Sequence, residues 1–282
     1  MDIRLHETGE EYQIEAVTSI AVVAAFSVTE LGILGCFLFV TAPTIHDVFS
    51  LKNCMLLMLL VSQCAYLITH SLYISIPMWS AASVGLNIVN AISFALWLIF
   101  YLCSSWTRSY EVFQTTSSVI VLKIVRILLI FTCLITFGPL IAVVIPIDPD
   151  SQEVAATTAN VLAGAGVFIL DTFFAVNYLK YIFQKTVDTV KLRNDYKILA
   201  IDLFVIITQY GLMCSLAMAI SLGIYIAFLV VASNDSQENL TLYTRLLQAV
   251  DWSVFFISFP LVIMKIKLVM LRKKKNEKEA PS

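Results

Sequence analysis

Seven apolar stretches, each long enough to cross a bilayer, occupy most of the 282 residues, and the basic residues gather on one side of them. An α-helix crosses the ~30 Å hydrocarbon core in about 20 residues. The stretches read as spans at 16–41, 53–75, 80–104, 120–145, 155–183, 198–231 and 242–268. Helix is the element expected for each, because it satisfies its own backbone groups where water is absent. The predicted fold class is therefore an all-α polytopic membrane bundle. With that threading, every Lys and Arg except Arg4 and Arg245 lies on a single side.

That asymmetry predicts an orientation, because loops rich in Lys and Arg stay in the cytoplasm. Lys52 sits in the first connection, Arg108, Lys123 and Arg126 surround the third, and five cations from Lys180 to Lys197 surround the fifth. Lys265, Lys267, Arg272, Lys273, Lys274, Lys275 and Lys278 close the chain. The opposite loops carry Asp148, Asp150, Glu153, Asp235 and Glu238. The amino terminus is predicted outside and the carboxy terminus inside. Residues 1–15 hold Asp2, Glu7, Glu10, Glu11 and Glu15 against Arg4. A signal peptide needs a positive leader, so the first stretch reads as an uncleaved anchor.

Two N-glycosylation acceptors, at Asn234 and Asn239, fall between spans six and seven, in a loop that the charge pattern places outside. Glycosylation at one or both is expected. The tail 269–282 is basic, and from Lys273 onward it reads as disordered, its basic run either drawn to anionic inner-leaflet lipids or serving only as a stop-transfer anchor.

Composition agrees with the membrane assignment. Only 13 % of residues are charged and 59 % are hydrophobic, whereas soluble domains carry roughly 25 % charged residues. Inter-span segments of at most about 15 residues are too short for a soluble catalytic domain. Cys36, Cys54, Cys64, Cys103, Cys133 and Cys214 all lie in spans or at their inner ends, where thiols pack as small apolar groups. No outer disulfide is expected.

The residues that hydrocarbon tolerates least are the candidates for function. A charge at mid-membrane costs at least ~2.5–3.5 kcal/mol, so it requires a partner, a cavity or a proton. Glu30 lies near the middle of span one and Asp171 near the middle of span five. Asp202 lies toward the inner end of span six, and Asp251 and His70 lie in the outer thirds of spans seven and two. One reading gathers Asp171, Asp251 and His70 into a ligand pocket open to the outside, lined also by Trp79, Asn87, Asn90 and Trp252, with Tyr73 and Asn160 at the same depth. Asn87 and Asn90 share a helical face. The other reading makes these groups interhelical glue. Glu30 reads as glue or as a neutral buried carboxyl. Arg108 and Asp202 form a candidate inner latch between spans three and six, with Lys197 and Arg126 as competing partners. Pro260 removes one backbone hydrogen bond inside span seven and is a candidate hinge.

Near the inner end of span three the chain reads Trp106-Thr107-Arg108-Ser109-Tyr110, and span seven contains Phe259-Pro260-Leu261-Val262-Ile263. With its seven spans, outside amino terminus, short loops and basic inner segments, the chain resembles the G-protein-coupled receptors. Arg108 matches the arginine of their Asp-Arg-Tyr, and Pro260 the proline of their Asn-Pro-x-x-Tyr. The Cys-Trp-x-Pro of span six and the outer cysteine pair are absent. The resemblance implies a ligand among the outer halves of the helices and a heterotrimeric G protein or other effector in the cytoplasm.

Competing seven-span chemistries lack their residues. A retinal Schiff base needs a lysine within span seven, but Lys265 and Lys267 lie at its inner end. Membrane hydrolases and haem bundles need more histidines than His6, His46 and His70. No Gly-x-Ser-x-Gly turn occurs. The chain therefore reads as a non-enzyme without cofactor, metal or nucleic-acid partner, and as a receptor-like protein of the plasma membrane. A carrier or channel using Glu30, Asp171 and Asp251, and a structural or trafficking protein without ligand, are the alternatives. Many carriers are built from duplicated halves, and no internal repeat is found here.

Overall fold

The computed structural model describes residues 2–42, 44–76, 81–144, 149–190, 195–232 and 240–279. Among these the chain is helical throughout: α1 (Asp2–Thr41), α2 (Ile45–Val48), α3 (Leu51–Ser75), α4 (Ala81–Thr116), α5 (Val119–Ile135), α6 (Gly138–Val144), α7 (Pro149–Val190), α8 (Asp195–Ala232) and α9 (Leu240–Glu279). Seven segments are long and apolar enough to cross a membrane: 14–41, 51–75, 84–110, 119–142, 154–181, 205–231 and 244–271. Short connections make successive spans antiparallel. The bundle thus has an entry end, where α1 begins, and an exit end, where α9 finishes.

Packing follows chain order around a closed ring. Each span packs on the next, α1 closes the ring against α9, and α4 crosses the middle to meet α7. Polar groups point inward: Ser27, Glu30, Gln63, Ser105, Asp171, Ser215, Asp251 and Ser258 are all buried. Apolar groups point outward, as on α5, where Ile120, Ile124, Ile127, Phe131 and Leu134 are exposed at helical spacing. A soluble bundle would invert this order, so the surface suits lipid. Hydroxyls on the lipid side are satisfied by their own helix: Thr18 and Thr29 donate to the carbonyls of Ile14 and Ala25 at 2.7 and 2.8 Å.

Several boundaries extend beyond the hydropathy estimate. Span three, expected to stop near residue 104, runs on as α4 to Thr116. Nothing in that stretch breaks a helix, and Arg108 turns its guanidinium into the bundle. The tail expected to be disordered from Lys273 is also helical, since α9 continues to Glu279. Helix α9 contains no Pro or Gly after Pro260, and Lys and Glu are good helix formers. Helix α9 passes through Pro260 without interruption. The fourth span does break. Pro139 cannot donate to the Ile135 carbonyl and its ring crowds that oxygen, so α5 ends and α6 restarts at Gly138.

The two halves of this span lie close against α7. A methyl added at Gly138 would stand 2.8 Å from the Ala159 Cβ, and one at Gly166 would stand 3.0 Å from the Thr132 methyl. Small residues of this kind let membrane helices approach. Gly166→Val is expected to lower the unfolding temperature in detergent, by about 1–3 kcal/mol of overpacking. At Gly32 an added Cβ meets nothing within 4 Å, so Gly32→Ala serves as the tolerated control. Equal melting of the two variants would refute the close approach.

Candidate functional site

Three buried carboxyls divide the bundle interior into levels. Asp251 on α9 is nearest the entry end and fully buried. Its Oδ1 accepts the Tyr66 hydroxyl at 3.0 Å and lies 3.0 Å from His70 Nδ1. Tyr66 and His70 are four apart on α3, so they share a face, and their rings stack at 5.5 Å. The Asp251 Oδ2 is buried with no hydrogen-bond partner. Beside this pair, Thr69 donates to the Asn90 Oδ1 at 3.2 Å, tying α3 to α4.

Glu30 on α1 lies deeper, sixteen residues into its span. Ser258 donates to its Oε2 at 3.0 Å, and its Oε1 has no partner. Neighbouring Gln63 is fully buried, donates to Ser27 at 2.8 Å and leaves its own Oε1 unpaired. This level joins α1, α3 and α9.

Asp171 on α7 lies at about the same depth as Glu30, seventeen residues into its span, and collects three hydroxyls from two helices. Tyr101 and Ser105 of α4 donate at 2.7 and 2.9 Å, and Ser215 of α8 donates at 2.5 Å. Arg108 then donates to the Ser105 oxygen at 2.7 Å. Its other nitrogens reach the Ser104 carbonyl at 3.2 Å and the Met264 sulfur of α9 at 3.6 Å. The Tyr178 hydroxyl of α7 donates to the Arg108 carbonyl. A cavity of about 20 Å³ lies among Arg108, Asp171, Tyr178 and Thr208. That volume admits roughly one water.

The candidate residues therefore distribute as follows. His70, Asn90 and Asp251 gather at one level, with Asn87 half-buried one turn toward the entry end of α4. Asp171 belongs to a separate network, held by α4 and α8. Trp252 turns away from its neighbour Asp251, because consecutive residues on a helix point about 100° apart. Its Nε1 donates to Ser19 of α1 at 3.2 Å, and its ring packs on Phe26 and Phe256. Arg108 engages Ser105, while the Asp202 side chain lies outside the described residues, as do Trp79, Asn234 and Asn239.

Tyr66, Tyr101, Ser105 and Ser215 complete the networks and were not singled out from sequence. A signal for part of this set was present. Asn90, Phe94, Trp97, Tyr101, Ser105 and Arg108 recur every three or four residues, forming one inward stripe on α4. Phe94 packs on Tyr66 at 5.1 Å and on Trp97 at 5.7 Å, and Trp97 on Tyr101 at 6.3 Å. Contact is therefore continuous from His70 and Asp251 through this stripe to Asp171 and Arg108. A scan of protein-family models finds no match to the chain, and a search of curated proteins finds none either.

Proposed function

We propose that this chain is a receptor-like seven-helix protein of the plasma membrane, with its amino terminus outside and Asn234 and Asn239 in a glycosylated outer loop. In this reading a ligand arriving from outside acts on the Asp251–His70 pair. The response appears at Arg108, where a G protein or another cytoplasmic effector would sense it. Such a ligand must bind one packing arrangement better than another, since only differential affinity shifts an equilibrium.

One observation carries the reading: the unbroken line of contacts from Asp251 to Arg108. At its outer end, Asp251 Oδ2 is a buried acceptor without a partner, available to a donor that the protein itself does not supply. At its inner end, Arg108 bridges α4 to the Met264 sulfur of α9 through a long contact of 3.6 Å. Contact alone does not establish coupling, so the test must perturb one end and read the other.

Affinity-tagged wild type and Arg108→Ala, expressed in native membranes, should differ in the cytoplasmic proteins they retain. Recovery of an effector with wild type, reduced at least about tenfold by Arg108→Ala and also by Asp251→Asn, is the expected result, equivalent to 1.4 kcal/mol of coupling. No effector with wild type, together with proton-coupled uptake by reconstituted vesicles, would replace the receptor reading with a carrier. The specific observation favouring that second reading is the pair of unpartnered buried oxygens on Glu30 and Gln63 at mid-bundle. Such oxygens could accept a transported proton or cation.

A further inference from the structure

A large cleft lies toward the opposite end of the bundle from the Asp251 pair. It has a volume of about 1010 Å³ and opens at the exit end, among the finishing turns of α1, α4 and α9 and the first turns of α3 and α5. Among the described residues, Lys52, Arg126, Lys265 and Lys273 line it together with the carboxylate of Asp47, and Lys52 and Lys265 each have further contacts of their own. The Asp47 Oδ2 already accepts the Thr44 hydroxyl at 2.6 Å. Arg126 is held in place by the Tyr110 hydroxyl at 2.8 Å and by the face of that ring, 5.3 Å from its centroid. The four cations come from α3, α5 and α9, so folding creates this concentration of charge.

Two further features narrow the occupant. Asn53 also lines the cleft and is only 5 % exposed. Its Nδ2 donates to the Asp47 carbonyl at 2.8 Å, which leaves its Oδ1 as a buried acceptor without a partner. A phosphate dianion can only accept, so it would satisfy the cations and not this oxygen, whereas a polyol hydroxyl would donate to it. The rim, by contrast, is apolar: Val40 and Leu51 line the cleft and are 85 % and 67 % exposed. The apolar windows of spans one, two and three end or begin at Thr41, Leu51 and Tyr110, so the cleft lies at headgroup depth with its rim toward the acyl chains.

We propose that this cleft binds a phosphorylated polyol, presented as the headgroup of an anionic phospholipid in the adjoining leaflet. The cations meet the phosphate groups, Asn53 accepts from a ring hydroxyl, and Val40 and Leu51 flank the lipid chains. The volume suits such a group, since ligand sites commonly enclose about 300–1,000 Å³. The site is separate from the Asp251 pair and does not depend on the signalling reading.

The test uses the full chain in nanodiscs of phosphatidylcholine, into which phosphatidylserine or a phosphatidylinositol bisphosphate is titrated, with bound lipid counted by native mass spectrometry. Soluble inositol phosphate forms a third arm. Wild type should retain the bisphosphate lipid in preference to phosphatidylserine and to the soluble headgroup. A cation near an anionic surface contributes about fivefold in affinity, so Lys52→Gln combined with Arg126→Gln should weaken retention roughly 30-fold. Lys274→Gln combined with Lys275→Gln, in the carboxy-terminal tail, should change it less than about threefold.

Loss in the tail variant with no loss in the cleft variant would overturn the proposal, because diffuse attraction to the tail would then explain binding. Equal retention of phosphatidylserine and bisphosphate by wild type would overturn it as well, and needs no variant to fold. Binding of soluble inositol phosphate as tightly as the lipid would overturn the lipid source. If the cleft variant fails to melt cooperatively, Lys273→Glu replaces it. Lys273 is exposed, and reversing its charge should still weaken retention at least about fivefold.

Discussion

Asp171→Ala is expected to lower the stability of the detergent-solubilised protein by roughly 2–5 kcal/mol. The carboxyl group is 4 % exposed and holds Tyr101, Ser105 and Ser215 together, so its removal leaves the Tyr101 and Ser105 hydroxyls without this acceptor, while Ser215 keeps the Gly211 carbonyl at 3.2 Å. Interhelical hydrogen bonds in membranes average about 0.6 kcal/mol. Each stranded hydroxyl adds a desolvation penalty of about 1–3 kcal/mol where no water replaces the lost partner. Asp171→Asn should lose less, because its amide oxygen still accepts and the hydroxyls can rotate to accept from its NH₂. Heating with a thiol-reactive dye reads the order directly, since Cys64 and Cys214 are free, buried thiols that become reactive on unfolding. Wild-type melting of the alanine variant would show that α4, α7 and α8 are joined by something other than this carboxylate.

The same residue shows what hydropathy can and cannot convey. The spans were legible because hydrocarbon thickness fixes their length, and the observed windows agree with the expected ones within a few residues at most ends. The longer reach of α4 was not legible. Arg108 reads as the end of a span until its inward partner Ser105 is known. The depth of Asp171, however, could have been worked out. It lies seventeen residues into its window and Asp251 seven into its own, and both windows start at the entry end. Ten residues at 1.5 Å each separate them by roughly 15 Å along the bundle, too far for one small pocket. The partners were a different matter. Many Ser, Thr and Tyr hydroxyls sit at compatible depths, and only the rotation and neighbours of each helix select Tyr101 and Ser215. Those depend on packing between helices, which no single span encodes.

The stripe on α4 lies between these two cases. Its spacing was visible, but an aromatic run at helical period usually marks only a packed face. Here the stripe ends on a buried acid at each level, Asp251 through Tyr66 and Asp171 through Tyr101. That is why substitutions at Asp251 should separate a packing role from a signalling one.

His70→Ala should destabilise the bundle by about 1–3 kcal/mol, the usual consequence of leaving a buried polar group short of a hydrogen-bond partner. The Asp251 carboxylate is wholly buried and its Oδ2 is already unpartnered, so without the imidazole it keeps only the Tyr66 hydroxyl. His70 is 12 % exposed and is less harmed by the reverse loss, but Asp251→Leu also leaves the buried Tyr66 hydroxyl without its acceptor, so the two single substitutions should cost comparable amounts. A leucine there is close in volume and compatible with the surrounding apolar core. Combining both substitutions should recover part of the loss, giving a coupling of about 1–3 kcal/mol in a double-mutant cycle. Thermal unfolding of the four proteins measures that coupling, and additivity within error would show that the 3.0 Å contact contributes nothing. Effector recovery from the same four proteins then tests the role. If His70→Ala/Asp251→Leu regains stability and effector recovery together, the pair is packing glue. If stability returns while effector recovery stays lost, the carboxylate has a role beyond packing, as the proposed receptor reading requires.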